Sequence, residues 1–372
     1  MKKVGIMSMQ RIVNYGSFLQ AYALKQLIEE QGNKVEFVDY HIGAPIIKDN
    51  TNNENKFIRK VKKGIETFKY KAPISHKISF IRYKQSFAKN YMRLLGVEKE
   101  MNYNPILDCL VIGSDEVFNC IQKNTNVGYS LELFGKDNKA KKVISYAASF
   151  GNTTLEKLKE YNKEKEIGRL LNKFDTISVR DNNSGMIVES LTDKEVTYNL
   201  DPVLIYDYIN CCNKIPKITS NEKYLILYAY SGRITEEEAF WIKQYAKQKN
   251  LKVYAIGGIQ RCADRFISCS PFEVLAYFEN AEEVITDTFH GSIFSIITHR
   301  KFATLIRKSV GDSYGNEEKL TDLLSRLKLN DRMTTDISKV SEINNNSIDY
   351  EMIMDILDKY RKIAKKYLEE NI

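Results

Sequence analysis

Residues 4–38 read VGIMSMQRIVNYGSFLQAYALKQLIEEQGNKVEFV. Val4–Met7 is a short apolar run followed by polar residues, the pattern of a strand buried on both faces. Ser17–Gln31 places Leu19, Tyr22, Ala23 and Leu27 on one side of a helix and stops at Gly32-Asn33, a helix-ending pair. Val35–Val38 reads as the next strand. A strand, a helix and a strand in that order form one βαβ unit, whose strands run parallel.

The alternation continues along the chain. Strands are expected at Cys109–Ile112, Val143–Ala147, Thr176–Val179 and Val196–Leu200, with helices around Leu155–Leu171 and Asn183–Leu191. A second series runs through strand Tyr224–Tyr230, helix Thr235–Lys249, strand Val253–Ile256, helix Phe272–Asn280 and strand Glu283–Thr286. It continues with helix Ser292–His299, strand Phe302–Ile306, helix Glu317–Leu329 and a long amphipathic helix from about Ser347. The fold class is therefore α/β, with parallel sheets covered by helices on both faces. A length of 372 residues suits two domains. The polar stretch Tyr206–Asn221, with Pro216, is the expected boundary. We expect an N-terminal Rossmann-like domain over 1–210, a second over 220–345 and a closing helix over 346–372, with the active cleft between the two domains.

Apolar content of 43% marks a folded chain, and runs such as Tyr224–Tyr230 and Phe302–Ile306 fall far short of the roughly 20 residues a membrane-spanning helix needs. The N-terminus lacks the apolar core of a secretory signal, so a cytoplasmic protein is expected. Six cysteines, none in a C-x-x-C frame, suggest reduced thiols and no metal site. The net charge of +8 is concentrated locally. Between Lys48 and Arg93, basic residues such as Lys60, Lys63, Arg82 and Lys89 alternate with Phe57, Ile65, Phe80 and Phe87 at partly helical spacing. This basic insert of the first domain is either a hairpin whose apolar stripe packs on its own domain or a peripheral contact with anionic membrane at the inner face. Nucleic acid is not expected as a partner, because no recognition motif accompanies the charge.

In parallel α/β sheets the ligand sits beyond the carboxyl ends of the strands. After the first strand comes Asn14-Tyr15-Gly16-Ser17 at a helix start, without the G-x-G-x-x-G of a dinucleotide site. After Cys109–Ile112 comes Gly113-Ser114-Asp115-Glu116, where Gly113 allows a tight turn and Asp115 either points a carboxylate at a ligand or caps a helix. Arg180-Asp181 follows the strand at Thr176–Val179; the arginine either pairs with a carboxylate of the protein or forks onto an anionic substrate. The segment Ile285-Thr286-Asp287-Thr288-Phe289-His290-Gly291-Ser292 turns from a strand through His-Gly into a helix. It gathers an imidazole, a glycine, hydroxyls and helix amides within one turn, so His290 is the leading candidate among the histidines. His41, His76 and His299 are weaker ones.

Six segments, in order, resemble the polysaccharide pyruvyl transferase family: Asn14–Ala21, Gly113–Asn119, Ser145–Gly151, Ser178–Asp181, Leu200–Val203 and Thr286–Gly291. The resemblance runs from the first strand to about Arg332 and implies a fold like the two-domain GT-B glycosyltransferases. The implied reaction moves a pyruvyl group from phosphoenolpyruvate, a donor substrate rather than a cofactor, to two hydroxyls of a sugar, forming a cyclic ketal. The acceptor would be a cell-surface polysaccharide or its lipid-linked precursor. His290, Arg180 and Asp115 are then the catalytic candidates. Asn14, Gly16, Ser17, Gly113, Ser114, Ser149, Thr288, Gly291, Ser292 and Arg300 are the substrate-binding ones, with the Gly291 and Ser292 amides assigned to the phosphate. Metal is not required, because arginines and a helix N-terminus can carry the charge.

Two positions depart from the family pattern. Thr288 stands where many members carry an arginine that helps to hold phosphoenolpyruvate. The site therefore recruits another cation, with Arg180, Arg233, Arg261, Arg300 and Arg307 as candidates, or takes another donor. Phe118 replaces a frequent tryptophan and keeps an aromatic wall. Two competing readings are a nucleotide-sugar glycosyltransferase and a non-catalytic glycan-binding module. The first is disfavoured because Glu317 and Glu318 are followed eight positions later by Ser325 and Arg326, not by a second glutamate.

Overall fold

A computed structural model describes residues 1–47, 70–308 and 315–372. The chain opens with β1 (Lys3–Met7), α1 (Tyr15–Glu29), β2 (Lys34–Phe37), α2 (Ile74–Leu95), β3 (Ile106–Asp115) and β4 (Lys139–Ala148). It continues through α3 (Leu155–Glu160), α4 (Glu164–Leu171), β5 (Ile177–Val179), α5 (Asn182–Leu191), β6 (Val196–Tyr198), α6 (Pro202–Ile205) and α7 (Tyr208–Cys211). A second series comprises β7 (Tyr224–Tyr228), α8 (Glu236–Gln248), β8 (Lys252–Ile256), β9 (Arg265–Phe266), α9 (Pro271–Glu279), β10 (Glu283–Thr286) and α10 (Phe289–Ile297). The remaining elements are β11 (Lys301–Leu305), α11 (Glu317–Arg326), β12 (Met333–Thr334), α12 (Val340–Asn345) and α13 (Tyr350–Asn371).

The strands form two six-stranded sheets, β2-β1-β3-β4-β5-β6 and β12-β11-β10-β7-β8-β9. Neighbours such as β1 and β3 or β7 and β10 pair in parallel, as the βαβ alternation requires. The central strands β3 and β7 are buried along nearly their whole length, which explains why they read as continuous apolar runs. Each sheet reverses its strand order once, between β1 and β3 and between β7 and β10. Such reversals open a crevice beyond the carboxyl ends of the two strands, the usual ligand position in parallel sheets.

Two compact units result. One comprises residues 1–47, 92–207 and 354–372; the other comprises 70–91, 208–308 and 315–353. Residues 70–91, expected in the first domain, thus group with the second unit. The apolar side of α2 is covered there: Tyr83 and Phe87 are buried, and Phe80 meets Phe266 edge-on at 5.6 Å. Lys71, Arg82, Lys84, Lys89 and Arg93 stay exposed. Lys77 is buried, and the cations from Lys48 to Lys69 lie outside the described residues. Within the first unit, Tyr367 of α13 donates a hydrogen bond to the Ser145 carbonyl at 2.8 Å.

Local departures from the sequence reading have local causes. The helix expected over Leu155–Leu171 is two helices, broken at Asn162, whose φ of +54° no helix interior tolerates. The two-residue strands β9 and β12 are too short to carry a period.

Candidate functional site

Both order reversals carry a cluster of Asp and Arg side chains. In the first unit, Gly113 has φ +130°, and a Cβ there would lie 2.1 Å from the Tyr146 carbonyl oxygen. Only glycine fits this turn. The turn presents Asp115, whose Oδ2 accepts a hydrogen bond from Ser17 Oγ at 3.0 Å, while Oδ1 accepts from the Glu116 amide. Ser17 is placed by the start of α1, where Asn14 Oδ1 accepts from the Gly16 and Ser17 amides at 2.7 and 3.2 Å. Asn14 and Gly16 therefore build the helix start that positions Ser17.

Arg180 lies behind Asp115. Its Nη1 donates to Asp201 Oδ2 at 2.9 Å, and its Nη2 is 3.6 Å from Asp115 Oδ1. The exposures set the roles: Arg180 is 3% and Asp201 0% exposed, whereas Asp115 is 14% exposed. Burial by itself lowers the pKa of Arg180, but the carboxylates of Asp115, Asp201 and Asp181 outweigh it and hold the guanidinium above its already high ordinary value. Arg180 is thus a buried cation surrounded by carboxylates, not a fork extended toward an anion. Asp201, which also caps α6 through the Val203 amide, is the partner that sequence reasoning did not assign to it. Its signal was Asp201-Pro202, an N-cap before a helix-starting proline.

Three other candidates in this unit are structural. Ser114 is fully buried and donates to the Ala147 carbonyl at 3.0 Å. Ser149 is buried and donates to Asp181, which in turn caps α5 through the Ser184 amide. Phe118 is a core residue, stacked on Phe134 at 5.0 Å, rather than the wall of a site.

In the second unit, α10 begins at Phe289, three residues earlier than expected, because Thr288 is its N-cap. Thr288 Oγ1 accepts from the Gly291 amide at 2.9 Å, and the Ser292 amide donates to the Thr288 carbonyl at 3.2 Å. The two amides assigned to a phosphate are therefore used in starting the helix. Gly291 is required by packing, since a Cβ would lie 2.1 Å from Thr286 Oγ1. Ser292 is buried and shares a hydrogen bond with Thr304 at 2.9 Å. His290, the second residue of α10, is half-buried, with its ring edge-on to Phe289 at 5.4 Å.

The cations resolve into different places. Arg233 Nη1 and Arg307 Nε each lie 3.9 Å from Asp287 Oδ2, in the residue between β10 and Thr288. Arg307 also donates through Nη1 and Nη2 to Glu238 at 2.5 and 3.0 Å, and Arg233 lies over the Tyr230 ring at 4.7 Å. Asn316 joins the two strand ends: its Nδ2 donates to the Asp287 carbonyl and its Oδ1 accepts from the Arg307 amide, both at 2.6 Å. Asp287 is completely buried, and burial pushes its carboxyl up to about 6 against the pull of Arg233 and Arg307. Arg261 pairs with Glu236, and its guanidinium lies 5.5 Å from the Tyr70 ring. Arg300 sits at the opposite end of the sheet, where it donates to the Thr298 and Ala281 carbonyls just before β11 and β10. The sequence reading placed Arg300 at the ligand because it follows the His290 helix, but a helix returns the chain to the amino ends of the strands. Asp287 and Glu238 are the residues of this cluster that sequence reasoning passed over.

No curated protein matches the chain significantly. Among solved structures, an S. aureus MnaA–UDP co-structure is similar at 13% identity and a TM-score of 0.49, covering 100% of this chain and 98% of that one. The UDP-GlcNAc 2-epimerase of Neisseria meningitidis bound to UDP-GlcNAc gives 11% and 0.46, covering 98% and 94%. The spinosyn rhamnosyltransferase SpnG gives 9% and 0.47, covering 100% of both chains. In sequence, residues 14–309 match the polysaccharide pyruvyl transferase family, from the cap of α1 to beyond β11 and across both Asp–Arg clusters, and the chain belongs to that family.

Proposed function

We propose that this protein transfers the pyruvyl group of phosphoenolpyruvate to two hydroxyls of a sugar in a cell-surface polysaccharide or its lipid-linked precursor, closing a ketal. Membership of the family supports pyruvyl transfer. The observation that carries the finer reading is the opposite polarity of the two strand-end clusters. The first brings a carboxylate, Asp115, toward solvent; the second brings the guanidiniums of Arg233 and Arg307, with His290 half-buried three residues after Asp287. A carboxylate suits neutral hydroxyls that must lose protons, and cations suit a donor that carries a carboxylate and a phosphate.

The chemistry divides accordingly. One acceptor oxygen bonds to the central carbon of the enol phosphate while the terminal methylene gains a proton and becomes a methyl group. The second acceptor oxygen then bonds to the same carbon as the phosphate oxygen leaves, and its proton departs with inorganic phosphate. Asp115, held by Ser17 and backed by Arg180, orients the diol and takes its proton. His290 supplies or relays the proton to the methylene.

The test is turnover with phosphoenolpyruvate and a panel of sugar diols, read as phosphate release and as the mass of the ketal. His290→Gln keeps a similar shape and should lower turnover by about 10²–10⁴-fold with folding retained. Near-normal turnover in this variant removes the role of His290, and turnover with nucleotide sugars in place of phosphoenolpyruvate overturns the reading. Peripheral contact with anionic membrane belongs to the same proposal and rests on the exposed cations of α2. It predicts salt-sensitive sedimentation with anionic vesicles, and equal binding to neutral ones counts against it. Among the described residues, no helix is long and apolar enough to cross a membrane.

A further inference from the structure

At the reversal between β7 and β10, one carboxylate lies deep and two guanidiniums lie shallow. Asp287 is 0% exposed, while Arg233 and Arg307 are 31% and 24% exposed. Neither oxygen of Asp287 accepts a hydrogen bond from any described residue. The two guanidiniums, at 3.9 Å, attract it by charge across a gap too long for a hydrogen bond. A buried carboxylate without hydrogen bonds is costly, and a protein that keeps one beside two accessible arginines has placed it to act on those arginines. Asn316 fixes the backbone of both Asp287 and Arg307, so the arrangement is held from two strand ends.

We propose that Arg233 and Arg307 form an oxyanion-binding pair for the phosphate of the donor, and that Asp287 is the positioning residue whose charge competes with that phosphate. The identity of the donor rests on the phosphoenolpyruvate reading above; the oxyanion site does not. The pair would supply the positive charge that the family places at the position of Thr288. Charge counting gives the consequence. Arg233 and Arg307 face Asp287 and Glu238, so protonation of Asp287 raises the net charge around the two guanidiniums by one. An incoming oxyanion therefore favours the protonated carboxyl and binds with uptake of a proton. Burial pushes Asp287 up to about 6, so this exchange falls just below neutrality. The other charged groups acting on Asp287 are Arg233 from the turn after β7, Arg307 after β11, Glu238 on α8 and Lys319 on α11. His290 on α10 is the imidazole to control for.

The experiment is calorimetric titration of the full chain with inorganic sulfate, whose charge is constant between pH 5.5 and 7.5, and in parallel with phosphoenolpyruvate. The wild type should bind sulfate on the order of tenfold more weakly at the upper pH than at the lower. Asp287→Asn should bind it more tightly than wild type at pH 7.5 and with little pH dependence. Arg233→Gln should weaken both ligands by about tenfold or more, with Arg233→Lys intermediate because a point charge replaces a fork. Sulfate affinity that is the same in wild type, Arg233→Gln and Arg307→Lys overturns the site. A pH dependence that persists in Asp287→Asn and disappears in His290→Gln overturns the role of Asp287. If sulfate follows the expected pattern and phosphoenolpyruvate does not bind, the oxyanion site stands and the donor assignment fails.

Discussion

The two strand-end clusters are built from the same residue types and are turned inside out relative to each other. In the first unit the cation, Arg180, is buried among carboxylates and the carboxylate of Asp115 reaches solvent. In the second the carboxylate of Asp287 is buried and the cations Arg233 and Arg307 reach solvent. An Asp–Arg pair has no fixed meaning as a motif. Which partner is buried decides whether the pair offers a ligand a base or a cation, and the buried partner serves to hold and tune the exposed one.

This contrast is most easily broken at Arg180. Arg180→Met leaves Asp115, Asp201 and Asp181 without their shared cation, and removing one member of a buried ionic cluster typically costs about 3–5 kcal/mol. Arg233→Gln leaves Arg307 beside Asp287, whose carboxyl can also take up a proton, so it should cost less than Arg180→Met. Chemical denaturation of both variants compares the two units directly, and similar losses would erase the distinction drawn here.

Asp287→Asn should have the opposite sign. A carboxyl raised from 3.8 to about 6 in the folded state holds its proton more tightly when folded than when unfolded. Its ionisation therefore erodes stability as pH rises from about 3.8 to about 6, and the loss is constant above that range. The amide variant should be more stable than wild type by on the order of 3 kcal/mol at pH 7.5, with the gain shrinking as the pH falls below 6. A gain that does not depend on pH would mean that Asp287 is not ionising in this window.

Gly291→Ala tests how closely α10 rests on β10. The added Cβ would lie 2.1 Å from Thr286 Oγ1 and 2.7 Å from Thr288 Oγ1, and Thr286 is itself bonded to the Tyr228 carbonyl. Overpacking of this kind costs about 1–3 kcal/mol. Because Gly291 precedes no φ > 0 turn, a thermal shift near zero would show that the hydroxyls move aside.

The parallel sheets were legible because buried strands such as Leu225–Leu227 and helices such as α1 announce themselves by period and by caps. The sites were legible in place but less so in role. Gly113, Asp115 and His290 all follow predicted strands; in the structure β3 runs on through Gly113 to Asp115 at its carboxyl end, and His290 lies just beyond β10. The depth of Arg180 was not legible, because its partners Asp115 and Asp201 come from other strand ends that only the assembled sheet brings together. The same holds for Arg307 and Glu238, which are far apart in sequence and paired in the fold. The start of α10 was misread because Gly291 looked like a turn residue, when it is the third residue of a helix capped by Thr288.

That cap yields the smallest and most local expectation. Thr288 is 5% exposed, its Oγ1 accepts from the Gly291 amide, and it shares a second hydrogen bond with Thr286 at 3.1 Å. Thr288→Ala removes the acceptor and leaves a helix amide without its partner, a loss of about 1 kcal/mol, while Thr288→Ser retains the oxygen and most of the stability. An arginine here could not accept from the amide at all, having donors only. Thr288→Arg should therefore lose at least as much stability as Thr288→Ala. If Thr288→Arg instead matches wild type in thermal unfolding, the residue is not needed as a cap. The cap would then no longer explain why this chain has a threonine at position 288.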